Sequence, residues 1–275
     1  MNNSIFDEML SRYDTDGDSN MRNALYEVMQ QVVLSGLYRG GFFKEAAFYG
    51  GTCLRIFHGL KRFSEDMDFS LVEKNPSFSL ETFFPAIIEE ARLLGRDVTI
   101  TRKDKRNFGR VESAFLKDNT DVYNITFQTE RALKIKIEVD TNPPLHFNTE
   151  QKLLLRPFSF NVRCFTLPDL YAGKMHALVF RQWKNRVKGR DWYDFEWYVR
   201  NNIPLDFGHL RVRTSEFNGM DLTKDLFIDR LKERLSSTDI ENVKADVVPY
   251  VMDRRELDIW SNDYFLQLSD MIRFV

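Results

Sequence analysis

The strongest hydrophobic pattern in the chain is an alternation at Leu133-Lys134-Ile135-Lys136-Ile137-Glu138-Val139-Asp140. Leu133, Ile135, Ile137 and Val139 fall on one face, and Lys134, Lys136, Glu138 and Asp140 on the other. Side chains of an extended strand alternate between faces, so this is a half-buried strand. Asn142-Pro143-Pro144 ends it, because proline cannot donate to a sheet ladder. Shorter strand-like segments occur near 97–101, 111–116 and 122–127, and another over 44–49. Helical spacing takes over elsewhere. Leu80, Phe83, Phe84, Ile87, Ile88, Ala91 and Leu94 recur at i, i+3, i+4 and i+7, which predicts a helix with one face against a sheet. A helix is also expected over about 22–37, a short one over 52–60, and a charged amphipathic one over 222–235. From Pro168 onward the pattern is helical throughout. The chain therefore reads as an N-terminal helical segment (1–40), a strand-rich core (41–160) and a helical domain (161–275), an α+β arrangement.

Two stretches within the core carry chemistry. Phe48-Tyr49-Gly50-Gly51-Thr52-Cys53-Leu54-Arg55 is an apolar run that breaks on two glycines into a helix. Such a corner offers backbone N–H groups and a helix start to phosphate oxygens. Thr52 stands where its hydroxyl caps that helix or touches a phosphate or a metal-bound water. The second stretch, Lys61-Arg62-Phe63-Ser64-Glu65-Asp66-Met67-Asp68-Phe69-Ser70, places Asp66 and Asp68 on one strand face and Met67 and Phe69 on the other. Paired carboxylates suit a divalent cation held by oxygen ligands, although the solvent face of an edge strand has the same pattern. Glu138 is the natural third carboxylate of a two-metal site.

The helical half adds three more candidates. Leu167, Leu170, Tyr171, Leu178 and Arg181 form a stripe with Lys174 near its centre. A lysine on a buried face either snorkels to the rim or is expected to reach an anionic ligand across the interface with the first half. Asp191 or its neighbour is expected near the N-cap of the next helix. Asp194, one turn further and inward, is expected to pair with Lys174 or an arginine. Leu257, Trp260, Ser261, Tyr264, Phe265, Leu268 and Ile272 make a last aromatic stripe, either core or interface.

Composition narrows the classes. The 275 residues are 43% hydrophobic with a formal net charge of −2, so a nucleic acid or anionic membrane partner needs a local basic patch. Arg181, Lys184, Arg186, Lys188 and Arg190 are the candidate, although solvated charge at a helix end has the same pattern. Cys53 and Cys164 are the only cysteines, and no CxxC, HExxH or histidine cluster suggests zinc. Asp14-Thr15-Asp16-Gly17-Asp18-Ser19-Asn20 opens like a calcium loop but has Ser19 where glycine belongs and Leu25 where the closing glutamate belongs. No signal peptide or membrane-spanning stretch is apparent, which suggests a cytoplasmic protein with reduced thiols.

Four blocks in order, Tyr49-Gly50-Gly51-Thr52, the Arg62 to Phe69 stretch, Lys134 to Val139, and Lys174-Met175-His176-Ala177-Leu178 with Gly189-Arg190-Asp191-Trp192-Tyr193-Asp194, resemble the AbiEii/AbiGii-type toxin nucleotidyltransferases of the polymerase-β-like superfamily. The likeness covers about 45–200. It implies a small mixed β-sheet with flanking helices, a C-terminal helical domain, and a nucleotide in the cleft between. It implies transfer of a nucleoside monophosphate from an NTP to an acceptor hydroxyl, with RNA such as tRNA favoured. Gly50, Gly51 and Thr52 would hold the triphosphate. Asp66, Asp68 and Glu138 would bind Mg²⁺ or Mn²⁺, with Lys136 alongside, and Arg55, Arg62 and Ser64 would steady the phosphates or the local loop. Lys174 would contact the nucleotide, and Asp191 and Asp194 would form the last motif. A toxin neutralised by a separate antitoxin is implied too. A nucleotide- or partner-binding module without transfer activity, and transfer to a protein hydroxyl, are the alternatives.

Overall fold

The structure, a computed structural model, describes residues 4–102, 120–127, 133–181 and 187–275. The strand expected over 111–116 lies outside them, as do Lys184 and Arg186 of the basic run. The chain forms two compact units: Met1–His58 with Glu65–Pro143 and Thr149–Cys164, and Gly59–Ser64 with Pro144–Asn148 and Phe165–Val275.

The first unit is built on a mixed sheet of seven strands, β1 (Ala46–Tyr49), β2 (Met67–Leu71), β3 (Val98–Arg102), β4 (Thr120–Phe127), β5 (Leu133–Asp140), β6 (Thr149–Leu154) and β7 (Phe160–Phe165), in the order β3-β4-β5-β2-β1-β7-β6. β1 runs antiparallel to β2 and parallel to β7, while β2 runs parallel to β5. The alternation in β5 is realised as expected: Leu133, Ile135, Ile137 and Val139 are buried and the residues between them are not. β6 and β7 were not apparent from the sequence pattern and extend the sheet beyond β1.

Helices α1 (Ile5–Leu10), α2 (Asp18–Arg39), α3 (Gly50–His58) and α4 (Phe84–Leu93) belong to this unit. α2 begins a turn earlier than the expected start at 22, at Asp18, and its N-cap residue Gly17 offers no side-chain cap. α4 packs against α2 as well as toward the sheet. A Cβ at Gly36 would stand 2.6 Å from the Ile87 Cα, so a larger residue there would force the two helices apart. Phe42, Phe48, Phe69 and Phe83 form the aromatic centre of the core, with Phe48 stacked on Phe69 at 4.9 Å and Phe42 edge-on to Phe69 at 5.0 Å. Burial of each such ring contributes about 1.5–3 kcal/mol.

The second unit is helical: α5 (Leu167–Phe180), α6 (Gly189–Arg200), α7 (Phe207–Asn218), α8 (Lys224–Ser237), α9 (Ile240–Val247) and α10 (Asn262–Asp270). α5 meets α6 through Tyr171 and Tyr198, whose rings stack at 4.3 Å. The last aromatic stripe is core: Leu257, Trp260, Phe265 and Leu268 are buried. Glu196 is buried beside it and accepts hydrogen bonds from Trp260 Nε1 at 2.8 Å and Tyr264 Oη at 2.6 Å. Among the described residues no helix is long and apolar enough to cross a membrane.

Candidate active site

The carboxylates of the first unit are positioned by strand register. Asp68 is paired with Tyr49 of β1 on one side and with Glu138 of β5 on the other. Directly opposed residues on neighbouring strands project to the same face, so Asp68 and Glu138 are side-by-side neighbours. The end of β1 then turns sharply. Gly50 has φ +83°, and a Cβ there would collide with the Asp68 carboxylate. The glycine is thus required twice, for its left-handed backbone and for the room it leaves to Asp68.

The residues before β2 are clamped from two helices. Thr52 is fully buried and its hydroxyl donates to the Asp66 carbonyl, while Gln30 Nε2 donates to the Glu65 carbonyl at 3.1 Å. The Thr52 hydroxyl thus ties α3 to the Asp66 segment. Gly51 is buried within α3. Arg55 is turned toward α2, where Nε and Nη2 bind Glu27 Oε1 at 2.8 and 2.7 Å. Burial raises the Glu27 pKa, and Arg55 opposes that shift. Glu27 and Gln30 were missed in the sequence; two long polar residues one turn apart among Tyr26, Val28 and Met29 were the available signal.

Lys136 lies in the middle of the acidic group and forms an ion pair with Glu138. Burial lowers its pKa, but Glu138 first, then Asp66 and Asp68, more than reverse this and leave it raised. All three expected carboxylates thus act on one ammonium. Among the described residues, no group of three or more His, Cys, Asp or Glu side chains closes tightly enough to hold a metal ion. Glu138 is engaged by Lys136 in this arrangement. The donor set still fits Mg²⁺ or Mn²⁺: it is all oxygen, anionic, and arranged where a positive charge already resides.

A second cluster lies in the helical unit. Arg62 is 2% exposed and donates from Nε and Nη2 to the two oxygens of Asp194, 2.6 Å each, in the bidentate geometry that favours guanidinium. Its Nη1 donates to the Phe63 carbonyl at 2.9 Å. These contacts tie Arg62 to the local loop and to α6. Ser64 is half-buried in the same 59–64 segment. Lys174 Nζ lies 2.8 Å from both Asp191 Oδ1 and Asp194 Oδ2, so the pairing expected of Asp194 occurs with both a lysine and an arginine. Asp191 is not a cap; Lys188 occupies that position, and Asp191 is the third residue of α6.

Charge decides the protonation states. Burial would raise both aspartates, but Lys174, Lys188 and Arg181 hold the Asp191 carboxyl well below its ordinary range, and Arg62 and Lys174 lower Asp194. Lys174 is lowered by burial, yet Asp191 and Asp194 more than reverse this. Lys188 behaves oppositely. Burial lowers it to about 8, with Asp191 opposing and Arg181, Lys174 and Arg190 adding to the fall.

Comparison with known proteins gives a consistent assignment. A crystal structure of a candidate nucleotidyltransferase from H. pylori is similar in fold, with a TM-score of 0.50 and 18% identity over 90% of this chain and 91% of that one. The crystal structure of JHP933 from Helicobacter pylori is similar too, with a TM-score of 0.51 and 17% identity over 90% of this chain and 89% of that one. No curated protein matches the sequence. The family model described as "Nucleotidyl transferase AbiEii toxin, Type IV TA system" matches residues 32–268. With nearly the whole length of both units covered, the chain belongs to the AbiEii nucleotidyl transferase toxin family of type IV toxin–antitoxin systems.

Proposed function

We propose that this nucleotidyltransferase moves a nucleoside monophosphate from an NTP to an acceptor hydroxyl, RNA being the favoured acceptor, with Asp66, Asp68 and Glu138 as ligands of Mg²⁺ or Mn²⁺. The observation that carries the reading is the register match of Asp68 with Glu138 beside a glycine that leaves room for the Asp68 carboxylate. The acceptor oxygen forms a bond to the α-phosphorus as the bond to the β-phosphate oxygen breaks and pyrophosphate leaves. The hydroxyl proton passes to Asp68 or Glu138. When bound, the divalent ion neutralises phosphate charge, which is the main demand of this chemistry. Gly50 and Gly51 offer backbone room to the triphosphate, Lys136 moves from Glu138 to a phosphate oxygen, and Lys174, oriented by Asp191 and Asp194, contacts the nucleotide. An antitoxin is the protein partner that the family implies.

The test is incubation with Mg²⁺, labelled NTPs and total RNA, comparing Asp66→Ala and Asp68→Ala with the unmodified protein. Label is expected on RNA with the unmodified protein and reduced at least about 100-fold in either variant. Equal labelling in all three would remove the assignment, and label on protein with none on RNA would move the acceptor to a protein hydroxyl.

Lys136 gives an independent handle. Its ammonium competes with a divalent cation for Glu138, so Lys136→Met is expected to tighten Mn²⁺ binding without nucleotide by about tenfold or more, the scale of one partly screened ion pair. Titration followed by the Mn²⁺ electron paramagnetic resonance signal measures this. Unchanged or weaker affinity would show that no cation binds at Glu138.

A further inference from the structure

Asp66 stands one residue outside the sheet. β2 starts at Met67, which pairs with Ile137 of β5, and Asp68 is held by strand partners on both sides. No strand pairing among the described residues reaches Asp66. A planar peptide leaves only two rotations at each Cα, so a side chain's direction is settled once the peptide planes before and after it are held. Both planes around Asp66 are held from helices. The plane before it carries the Glu65 carbonyl, which accepts from Gln30 Nε2 of α2 at 3.1 Å. The plane after it carries the Asp66 carbonyl, which accepts from the Thr52 hydroxyl of α3. The two helices are joined in turn, because Glu27, one turn before Gln30, receives Arg55, one turn after Thr52.

Gln30 is 0% exposed and sits among the buried Val28, Met29, Val32 and Val33 of α2. A buried amide loses its hydration, and an apolar side chain at that position would not, so the amide is favourable only through the hydrogen bond it makes. The other contact from α2 to Glu65, Arg22 Nη2 to Glu65 Oε1 at 3.7 Å, joins two exposed side chains and holds no backbone.

We propose that Gln30 is a positioning residue for Asp66: together with Thr52 it fixes the peptide planes on either side and so sets the carboxylate in place before a divalent cation arrives. The inference rests on the assignment of Asp66 as a ligand of Mg²⁺ or Mn²⁺. Without the Gln30 donor the Glu65–Asp66 peptide is free to turn and the carboxylate turns with it. The ion then has to order its own ligand, which weakens binding.

Gln30→Met keeps the length of the side chain and fills its space but carries no donor. Its affinity for Mn²⁺ without nucleotide, followed by the electron paramagnetic resonance signal, is expected to weaken about tenfold, the scale of losing one contact that orients a metal ligand. Arg22→Ala, which removes the exposed contact to the same Glu65, is expected to leave the affinity unchanged. Transfer rates against Mg²⁺ concentration give a second readout. Gln30→Met is expected to need about tenfold more Mg²⁺ for its half-maximal rate and to reach the unmodified rate at saturation. A general loss of packing would lower the rate at every Mg²⁺ concentration instead, and that result overturns the proposal. Gln30→Leu takes the place of Gln30→Met should the latter fail to fold. Asp66→Ala separates the positioning role from the ligand assignment beneath it. Weaker Mn²⁺ binding in Asp66→Ala with none in Gln30→Met overturns the role of Gln30 and leaves Asp66 a ligand; unchanged binding in both removes the two together. An equal loss of affinity in Arg22→Ala and Gln30→Met also overturns the proposal.

Discussion

Gly50→Ala is expected to lower nucleotidyl transfer about 100-fold while leaving the fold in place, because it pushes a carboxylate out of position by roughly an ångström. A Cβ at residue 50 cannot coexist with the Asp68 carboxylate as it stands, and the left-handed φ of +83° adds backbone strain. The Asp68 side chain is the more mobile partner, so it gives way, and its relation to Glu138 across the β2–β5 pair is lost. Strain alone must be separated from displacement. Gly95→Ala provides the control, since Gly95 has φ +71° with nothing within 4 Å of an added Cβ. Both variants are expected to lose about 1 kcal/mol of stability, and Gly50→Ala alone to lose activity. Initial rates with labelled NTP, alongside thermal melts, measure both quantities. Wild-type activity in Gly50→Ala would detach Asp68 from the chemistry.

Asp194→Ala is expected to destabilise the helical unit by about 3–5 kcal/mol, the usual cost of stranding a buried charge. Arg62 and Asp194 are 2% and 0% exposed, and Lys174 leans on the same carboxylate, so removing it strands the Arg62 guanidinium and leaves Lys174 with Asp191 alone. The loss is read from urea or thermal unfolding. Arg62→Met added to Asp194→Ala should recover part of it, because the stranded guanidinium goes too. A loss below about 1 kcal/mol would mean the pair contributes little to folding. The same pair gives a pH dependence of definite sign. The folded-state pKa values of Asp191 and Asp194 are depressed, so their stabilisation is complete above the unfolded aspartate pKa of about 3.9 and declines as pH falls from there toward the folded values.

The parts legible in the sequence are those fixed by local period. β5 declared itself because its lysines and acids alternate with β-branched and leucine residues, and α4 through its apolar recurrence. β6 did not, because Thr149-Glu150-Gln151-Lys152 is polar on both faces of an outer strand and Leu153 remains exposed. β7 follows a short irregular stretch and pairs in parallel with β1, a partner more than a hundred residues away that no local pattern announces. α7 carries no clear apolar stripe. Within the site, the spacing of Asp66 and Asp68 was readable, as was the need of Lys174 for a partner. That Arg62 is the arginine gripping Asp194 was not, since the two are 132 residues apart and no local pattern links them.

The ammonium of Lys136 among Glu138, Asp66 and Asp68 has a consequence for how this protein tolerates its surroundings. A strip of acids with no internal counter-charge would make folding hostage to the ambient supply of divalent ions. Here the chain brings its own neutraliser, so on the proposed metal-dependent mechanism withdrawal of such ions is expected to silence the site while the sheet stays intact, with activity returning on resupply without refolding.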